Sequence, residues 1–237
     1  MTRLMYRLRT IALLLIAFAT TAMAQEPMRP YGAEYELLRA GAPAGRSTVT
    51  LEKSDAGSWQ LRSHTWGTQG LSALTGLDVK ETSTFRLTPE GLACLRYQHR
   101  LTGLRKRERH VECGSEEIVS RDHRGEYRFP SQANVLDRQI VSLALARALA
   151  AGNQSDLTYQ VVDRERLEPQ RYRALGEETV VVPAGTLRAI KVERLREDSS
   201  RTTVTWFGID QGLIPVRILQ SDEGEGFELR LVSLQRQ

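Results

Sequence analysis

The most regular hydrophobic pattern in the chain is a single helical one near its middle. From Asp137 to Ala151, apolar residues recur with the 3.6-residue period of an α-helix and form one continuous arc. The arc consists of Ile140, Val141, Ala144, Leu145, Ala148 and Ala151. Asn134 or Asp137 is suited to accept the free N–H groups of the first turn, and Gly152 is a left-handed stop signal. A run of about fifteen residues is too short for a bilayer, which takes roughly twenty, so the pattern predicts one buried helix near 137–151.

The rest of the chain follows the two-residue period of β-strands. Short runs of alternating apolar and polar residues are separated by turn residues, and we count about a dozen such runs. In Val182–Thr186, Pro183 marks a strand end because it cannot donate to a ladder, and Gly185 supplies the turn. Pro215 lies inside another run, which predicts either a sheet edge or a bulge there. The chain is therefore predicted to be mainly β with one main helix.

The stretch Gly67–Asp78 interrupts the strand pattern. Its glycines surround Leu71, Leu74 and Leu77, which are spaced three residues apart. Leucines in such a flexible setting fit a movable apolar flap at the rim of a binding cavity. An ordinary loop whose leucines pack on the core is the alternative, and it is the more common case. The sequence leaves both interpretations open.

A long hairpin is predicted over Leu92–Gly114, with its tight turn centred on Gly103-Leu104. This register places Cys94 directly opposite Cys113. Opposing residues of an antiparallel pair come close enough for a disulfide. We therefore predict a Cys94–Cys113 disulfide, which fits a protein exported to an oxidising compartment.

The same register gathers titratable groups on one face of the hairpin. It places Tyr97 opposite His110 and also His99 opposite Glu108, so both histidines and Glu108 would share a face. Two histidines with carboxylates beside many arginines form a poor ligand set once the cysteines are bridged, so no metal is predicted. An enzyme using His99, Glu108 and His110 as acid and base is one hypothesis. No nucleophile elbow, zinc-protease motif, phosphate loop or dinucleotide fingerprint accompanies these residues, and no catalytic residue is assigned.

The first 24 residues have the features of a secretory signal peptide. Three arginines precede an apolar run from Ile11 to Ala19, and Ala22-Met23-Ala24 is an A-x-A cleavage site. We predict cleavage after Ala24 and a single periplasmic domain over 25–237, with no membrane-spanning segment after the cleavage point. Loss of the three arginines leaves 30 basic against 29 acidic residues, which removes the excess charge that a nucleic-acid partner would need.

Aromatic and leucine residues offer a lining for an apolar ligand. If the sheet curves into a half-barrel too wide to fill itself, large side chains from the strands and the helix would line its cavity. A solid core built from the same side chains is the alternative. The candidate ligand-binding residues are Trp66, Leu71, Leu74, Leu77, Tyr97, Leu145, Leu149, Trp206 and Phe207.

Several of these motifs also occur together in a particular order. They are, in chain order, Asp137 and Ser142 of the helix, Val182–Thr186, Ala189–Val192, Trp206 and Ile214–Ile218. In this order the chain resembles an exported bacterial family known as domain of unknown function 3108 (DUF3108), itself similar to the lipoprotein-carrier half-barrels of the periplasm. The resemblance implies a curved antiparallel sheet or incomplete β-barrel of about a dozen strands, with the helix packed in or over its concave face. It carries no catalytic residues over to this chain.

Together these observations predict an exported protein that binds an apolar or amphipathic molecule of the cell envelope. The expected partner is a lipid or similar amphiphile, and neither nucleic acid nor a cofactor is expected. An envelope scaffold or interaction protein without a ligand is the alternative hypothesis, and a hydrolytic enzyme is the third.

Overall fold

The computed structural model describes residues 28–54, 57–197, 199–222 and 225–236. The predicted signal peptide and its cleavage site lie outside these residues. Within them the chain forms fifteen strands and two helices. The strands are β1 (Tyr31–Arg39), β2 (Ala42–Lys53), β3 (Trp59–Gly67), β4 (Asp78–Thr88), β5 (Gly91–Thr102), β6 (Arg107–Cys113), β7 (Glu117–Asp122), β8 (Gly125–Pro130), β9 (Leu136–Asp137), β10 (Leu157–Asp163), β11 (Arg166–Val182), β12 (Gly185–Leu195), β13 (Thr202–Gly208), β14 (Ile214–Asp222) and β15 (Glu225–Arg236). The helices are α1 (Gly70–Leu74) and α2 (Val141–Ala150).

All of these strands belong to one sheet with a meandering order. From β1 the sheet continues on one side through β2 to β8, and on the other side through β15 back to β9. β1 and β15 pair antiparallel, so the first and last strands meet in the middle of the sheet. Among the described strands only the two-residue pairing of β9 with β10 is parallel. The predicted curved antiparallel sheet is confirmed, although it has more than a dozen strands, since β9 is too short for its periodicity to be recognised.

The strand β11 runs for 17 residues without interruption. Gly176, with φ +100°, lies at a register shift after Ala174. A bulge of this kind bends a strand without ending it. The long strand therefore follows the curvature of the sheet instead of stopping.

The two arms of the sheet curve toward each other and meet without forming a strand ladder. The N–H of Cys94 donates to the carbonyl of Val135 at 2.9 Å, next to β9. Arg109 on β6 donates to Asp163 on β10 at 3.1 Å. A small apolar cluster packs where the arms meet, and its buried members are Tyr97, Val111, Ile118, Val135 and Val162. These contacts enclose the concave face although the sheet stays open.

The predicted central helix is present, but its first turn is not helical. α2 begins at Val141, whereas Asp137 belongs to β9. The Oδ1 atom of Asp137 accepts hydrogen bonds from the N–H groups of Gln139 and Ile140, at 2.8 and 3.1 Å. Asp137 thus caps a turn that precedes the helix. The predicted stop is confirmed, because Gly152 has φ +76° directly after the helix end.

Pro215 lies inside the sheet on β14, which pairs with both β13 and β15. The prediction of a sheet edge is therefore wrong, and the alternative of a bulge is confirmed. Trp206 pairs with Arg217 but Phe207 pairs with Pro215, so Val216 is the extra residue. Proline has no N–H to donate to the ladder, and the bulge lets the strand pairing continue without that hydrogen bond.

Candidate functional site

A cavity of about 590 Å³ lies within the curve of the sheet, beside the first turn of α2. Inward-facing residues from both arms of the sheet line it, together with Val141, Ser142 and Leu145 of α2. This volume falls within the range of about 300 to 1,000 Å³ that small-molecule sites occupy. The concave face is therefore not completely filled by its own side chains.

The end of the cavity next to α2 is apolar. Val141, Leu145 and Phe207 line it and are all buried. Tyr35 also lines this end, and its hydroxyl donates to the carbonyl of Pro215 at 2.8 Å. Burial raises the pKa of Tyr35, so the hydroxyl stays a neutral donor. The side chains of Val141, Leu145 and Phe207 suit a hydrocarbon group because they carry no charge, whereas Arg138 lines the cavity just before α2.

The walls between this apolar end and the opening carry neutral hydroxyl groups. On β13, Thr203 and Thr205 line the cavity on the same face as Phe207. On the opposite wall, the hydroxyl groups of Ser47 and Thr65 are 2.7 Å apart. Thr203 and Phe207 are four residues apart on an extended strand, a span of about 13 Å. The cavity therefore changes from apolar to polar over roughly the length of a short acyl chain.

About half of the remaining lining residues are charged. The charged ones are the arginines Arg138, Arg164, Arg166, Arg194, Arg196 and Arg201 and the acids Glu81, Asp163, Glu165 and Glu168. Some of them pair with each other, as Arg194 does with Glu168 at 3.2 Å and Arg138 with Glu81 at 3.7 Å. Six cations against four carboxylates leave the described lining with an excess of positive charge.

A buried carboxyl group lies directly behind the cavity wall. Asp137 has no exposed surface, and its Oδ1 accepts a hydrogen bond from Ser83 at 2.8 Å. Burial raises the pKa of Asp137 to about 6, although the hydrogen bonds from Ser83 and from the backbone of Gln139 and Ile140 act in the opposite direction. Arg138 and Gln139, which follow Asp137, both line the cavity. Asp137 therefore positions a part of the cavity wall.

A protein-family model matches most of the chain. The family model described as "Protein of unknown function (DUF3108)" matches residues 31–232. The chain belongs to this family. The match includes every cavity-lining residue from Tyr31 on β1 to Leu229 on β15. A comparison with curated proteins gives no match for this DUF3108 chain.

Solved structures show related folds at low sequence identity. A β-barrel-like protein of the domain of unknown function DUF1849 from Brucella abortus matches with a TM-score of 0.56 and 10% identity. That match covers 88% of this chain and 98% of the other chain. MucB matches with a TM-score of 0.35 and 12% identity, over 89% of this chain and 54% of that chain. The DUF3108 chain thus spans about half the length of MucB, and at these identities the DUF1849 likeness shows the fold alone.

Of the nine ligand-binding residues predicted from the sequence, the structure places two in the cavity lining. These are Leu145 and Phe207. Leu149 is buried in the core without lining the cavity. Tyr97 is buried where the two arms meet, and its hydroxyl donates to Glu81. Tyr97 therefore touches the site only through a lining residue.

The two predicted tryptophans lie on the other face of the sheet. Thr65 and Phe207 line the cavity, so their neighbours Trp66 and Trp206 point away from it. The ring of Trp206 is covered by the charged ends of Lys191 and Arg217, at 5.4 and 4.6 Å from the ring centroid. The ring also belongs to the main apolar core cluster, and its Nε1 donates to Glu178, so apolar packing and charged side chains together bury Trp206.

The leucine loop also lies outside the cavity lining. Leu71 and Leu74 are exposed by 64% and 83%, and Leu77 is half-buried. The N–H of Leu104, in the turn between β5 and β6, donates to the carbonyl of Thr75 at 2.9 Å. The loop is therefore tied to a neighbouring turn, and its role as a movable rim stays a prediction.

The register predicted for the β5–β6 hairpin is wrong by one residue. His99 pairs with Arg109, and Glu108 pairs with Arg100. Adjacent residues of a strand point to opposite faces, so His99 and Glu108 do not share a face. Glu108 and His110 are exposed, whereas His99 is half-buried and burial lowers its pKa. The structure does not bring the three acid and base candidates together.

The disulfide is nevertheless confirmed, with Cys94 and Cys113 joined at a Cα–Cα distance of 5.8 Å. The hairpin ladder ends at Arg96 and Glu112, so it does not fix the position of Cys94. A bulge between β4 and β5, where Cys94 pairs with Phe85, re-aims the cysteine. The bridge indicates that the protein resides in an oxidising compartment of the cell envelope or beyond it.

Neither a metal-binding cluster nor a helix that could span a membrane is found among the described residues. No group of three or more His, Cys, Asp or Glu side chains comes together there in an arrangement that holds a metal. No helix in the same part of the chain has the length and apolar character needed to cross a membrane.

The arginines at the cavity opening were missed by the sequence analysis. Arg194 and Arg196 alternate at the end of β12, and Thr203 and Thr205 alternate on β13. Their two-residue period is the signal that places them on one face. The period does not show whether this face is concave or convex, because only the curvature of the sheet decides that.

Proposed function

We propose that this DUF3108 protein binds an amphipathic molecule of the cell envelope, with the apolar part of the ligand beside α2. The observation that carries the proposal is the cavity of about 590 Å³, which is apolar at one end and polar at the other. An entirely apolar ligand that filled it would leave the hydroxyl and charged groups of the walls without water or a partner, at a cost in free energy. An amphipathic ligand matches both ends.

The proposed compartment is the periplasm, after removal of the signal peptide at Ala24. The Arg-rich and apolar segments of the first 24 residues support export. The Cys94–Cys113 bridge supports an oxidising destination. Both are properties of this chain alone and do not depend on what its structural relatives bind.

Binding is tested with an environment-sensitive fluorescent fatty acid titrated into the purified protein that begins at Gln25. A Thr205→Trp variant places a large side chain into the cavity from a half-buried position on β13. We expect it to weaken binding at least about tenfold, because the indole takes the volume that the chain of the probe would occupy. The matched control is Thr202→Trp, on the same strand but exposed and on the other face.

Saturable binding to the wild type and to Thr202→Trp, but not to a folded Thr205→Trp, supports the proposal. Equal binding by Thr205→Trp shows that the probe lies elsewhere and overturns it. No uptake by the wild type favours the scaffold hypothesis. In the same titration Leu74→Asp tests the loop, since weaker binding with unchanged melting temperature supports a movable rim and unchanged binding contradicts it.

A further inference from the structure

We infer that the turn between β12 and β13 binds the anionic headgroup of the ligand, a carboxylate or a phosphate, with Arg196 as its main contact. The inference rests on the proposed function, because it assigns the ligand's polar end to one side of the same cavity.

Three arginines converge at this turn. Arg194 is at the end of β12, Arg196 follows the strand, and Arg201 precedes β13. All three line the cavity. Two of them already have carboxylate partners, Arg194 with Glu168 at 3.2 Å and Arg201 with Asp222 at 3.6 Å. The cluster therefore carries one positive charge more than its partners neutralise.

The excess charge belongs to Arg196. Within the described part of the chain no carboxylate lies within ion-pair distance of its guanidinium. Its hydrogen bonds go to neutral oxygens, the carbonyl of Arg201 at 3.2 Å and the hydroxyl of Thr203 at 3.1 Å. Guanidinium has five N–H donors, and among the residues that the structure describes only two of them are used, which leaves three for a ligand. The two bonds fix the side chain in position, and a planar fork held in place is suited to a carboxylate or phosphate.

The surroundings of Arg196 disfavour an isolated positive charge. Burial, followed by the like charges of Arg194 and Arg201, lowers the pKa of Arg196 to about 10. A half-buried cation without a counter-ion is unfavourable, and an anion bound beside it removes that cost. The unfavourable positive charge of Arg196 and its N–H donors thus both favour an anion at the same place.

The position of Arg196 also fits the direction of the cavity. Thr203, which bonds to Arg196, continues through Thr205 to Phe207 on one face of β13. A headgroup at Arg196 would therefore direct its chain along this face toward the apolar end beside α2. The carboxyl and chain of a single-chain anionic amphiphile match the two ends of this line.

The test compares two fluorescent probes that differ only in headgroup charge, 11-(dansylamino)undecanoic acid and its methyl ester. We expect the wild type to bind the acid about tenfold more tightly than the ester, which is the magnitude of one charge-assisted hydrogen-bonded contact. Arg196→Gln should bind the acid about tenfold more weakly and the ester as before, and Arg196→Lys should retain part of the preference. Arg188→Gln, on the same strand, exposed and outside the lining, is the matched control.

The outcomes separate this inference from the proposed function. Equal affinity for acid and ester in the wild type, or an unchanged preference in Arg196→Gln, overturns the headgroup site and leaves the binding function intact. Failure of both probes to bind the wild type overturns both. Inorganic phosphate serves as the chain-free anion: if it binds alone as tightly as the acid probe does, the site takes small anions and the amphiphile assignment is wrong. Weak competition by phosphate supports it.

Discussion

Asp137 positions a part of the cavity wall with a buried carboxyl group. Replacing it with asparagine tests whether the charged form of this group destabilises the folded protein. Asp137 is fully buried and accepts hydrogen bonds from Ser83, Gln139 and Ile140 through one oxygen, whereas its Oδ2 has no partner among the described residues. Asparagine keeps an acceptor oxygen for these bonds. It removes the charge and its titration and puts an NH2 group in place of Oδ2, a change whose cost does not depend on pH.

The magnitude follows from the pKa of the carboxyl group. Burial raises the pKa of Asp137 from 3.8 to about 6. Each pKa unit corresponds to about 1.4 kcal/mol, so the charged form is disfavoured in the folded state by about 3 kcal/mol. Because the pKa is raised in the folded state, protonated Asp137 contributes to the free energy of unfolding. This contribution is fully present below pH 3.8 and is lost as the pH rises through 6. Between about pH 4.5 and pH 8 the loss should be about 2 kcal/mol.

The assay is urea unfolding followed by circular dichroism at several pH values in this range. The free energy of unfolding of the wild type minus that of Asp137→Asn should fall by about 2 kcal/mol as the pH rises, because other titrating groups cancel in the difference. Asp210→Asn removes an exposed carboxyl and controls for the loss of one acid. A difference between wild type and Asp137→Asn that stays constant across the range would refute the reasoning.

Two further predictions concern the hairpin and the helix. The Cys94–Cys113 bridge closes a loop with a sequence separation of 19, so replacing both cysteines with alanine should lower the free energy of unfolding by about 3 kcal/mol. The intact mass of the exported protein should correspond to a chain that starts at Gln25 and has two hydrogens fewer, and thiol labelling of both cysteines without reduction would contradict this. Ala144→Phe should cost about 1 to 3 kcal/mol by overpacking, since Ala144 is buried and Tyr159 bonds to its carbonyl at 3.3 Å. Ala150→Phe, at an exposed position of the same helix, is the control, and equal melting temperatures for the two variants would show that α2 does not pack as described.

The predictions that the structure confirms concern local features of the chain. The strand alternation, the glycine that ends α2, the Val182–Thr186 turn and the Cys94–Cys113 bridge depend on residues close together in the chain. The predicted register of the β5–β6 hairpin failed by one residue, with a large effect, although the bridge that it predicted forms because of a bulge beside Cys94. A turn one residue longer than predicted placed His99 opposite Arg109, which separated it from Glu108.

The candidate site also depended on long-range structure. Large aromatic side chains were expected in the cavity because they prefer burial, but a side chain can be buried on either face of a curved sheet. Trp206 is buried on the outer face beneath Lys191 and Arg217, whereas threonines and arginines line the inner face. Hydrophobicity alone does not distinguish these two environments.

The sequence by itself determined the class of this protein: a mainly antiparallel β fold with one apolar helix and a bridged hairpin. These properties follow from periodicity, turn chemistry and short spacings, which act between near neighbours in the chain. Only the tertiary structure decided which side chains of each strand lie on the concave face of the sheet. Arg196 therefore lines the same cavity as Leu145 and Phe207. Curvature is the sum of many bulges and twists along the sheet, including those at Gly176 and Pro215, and no single stretch of sequence contains it.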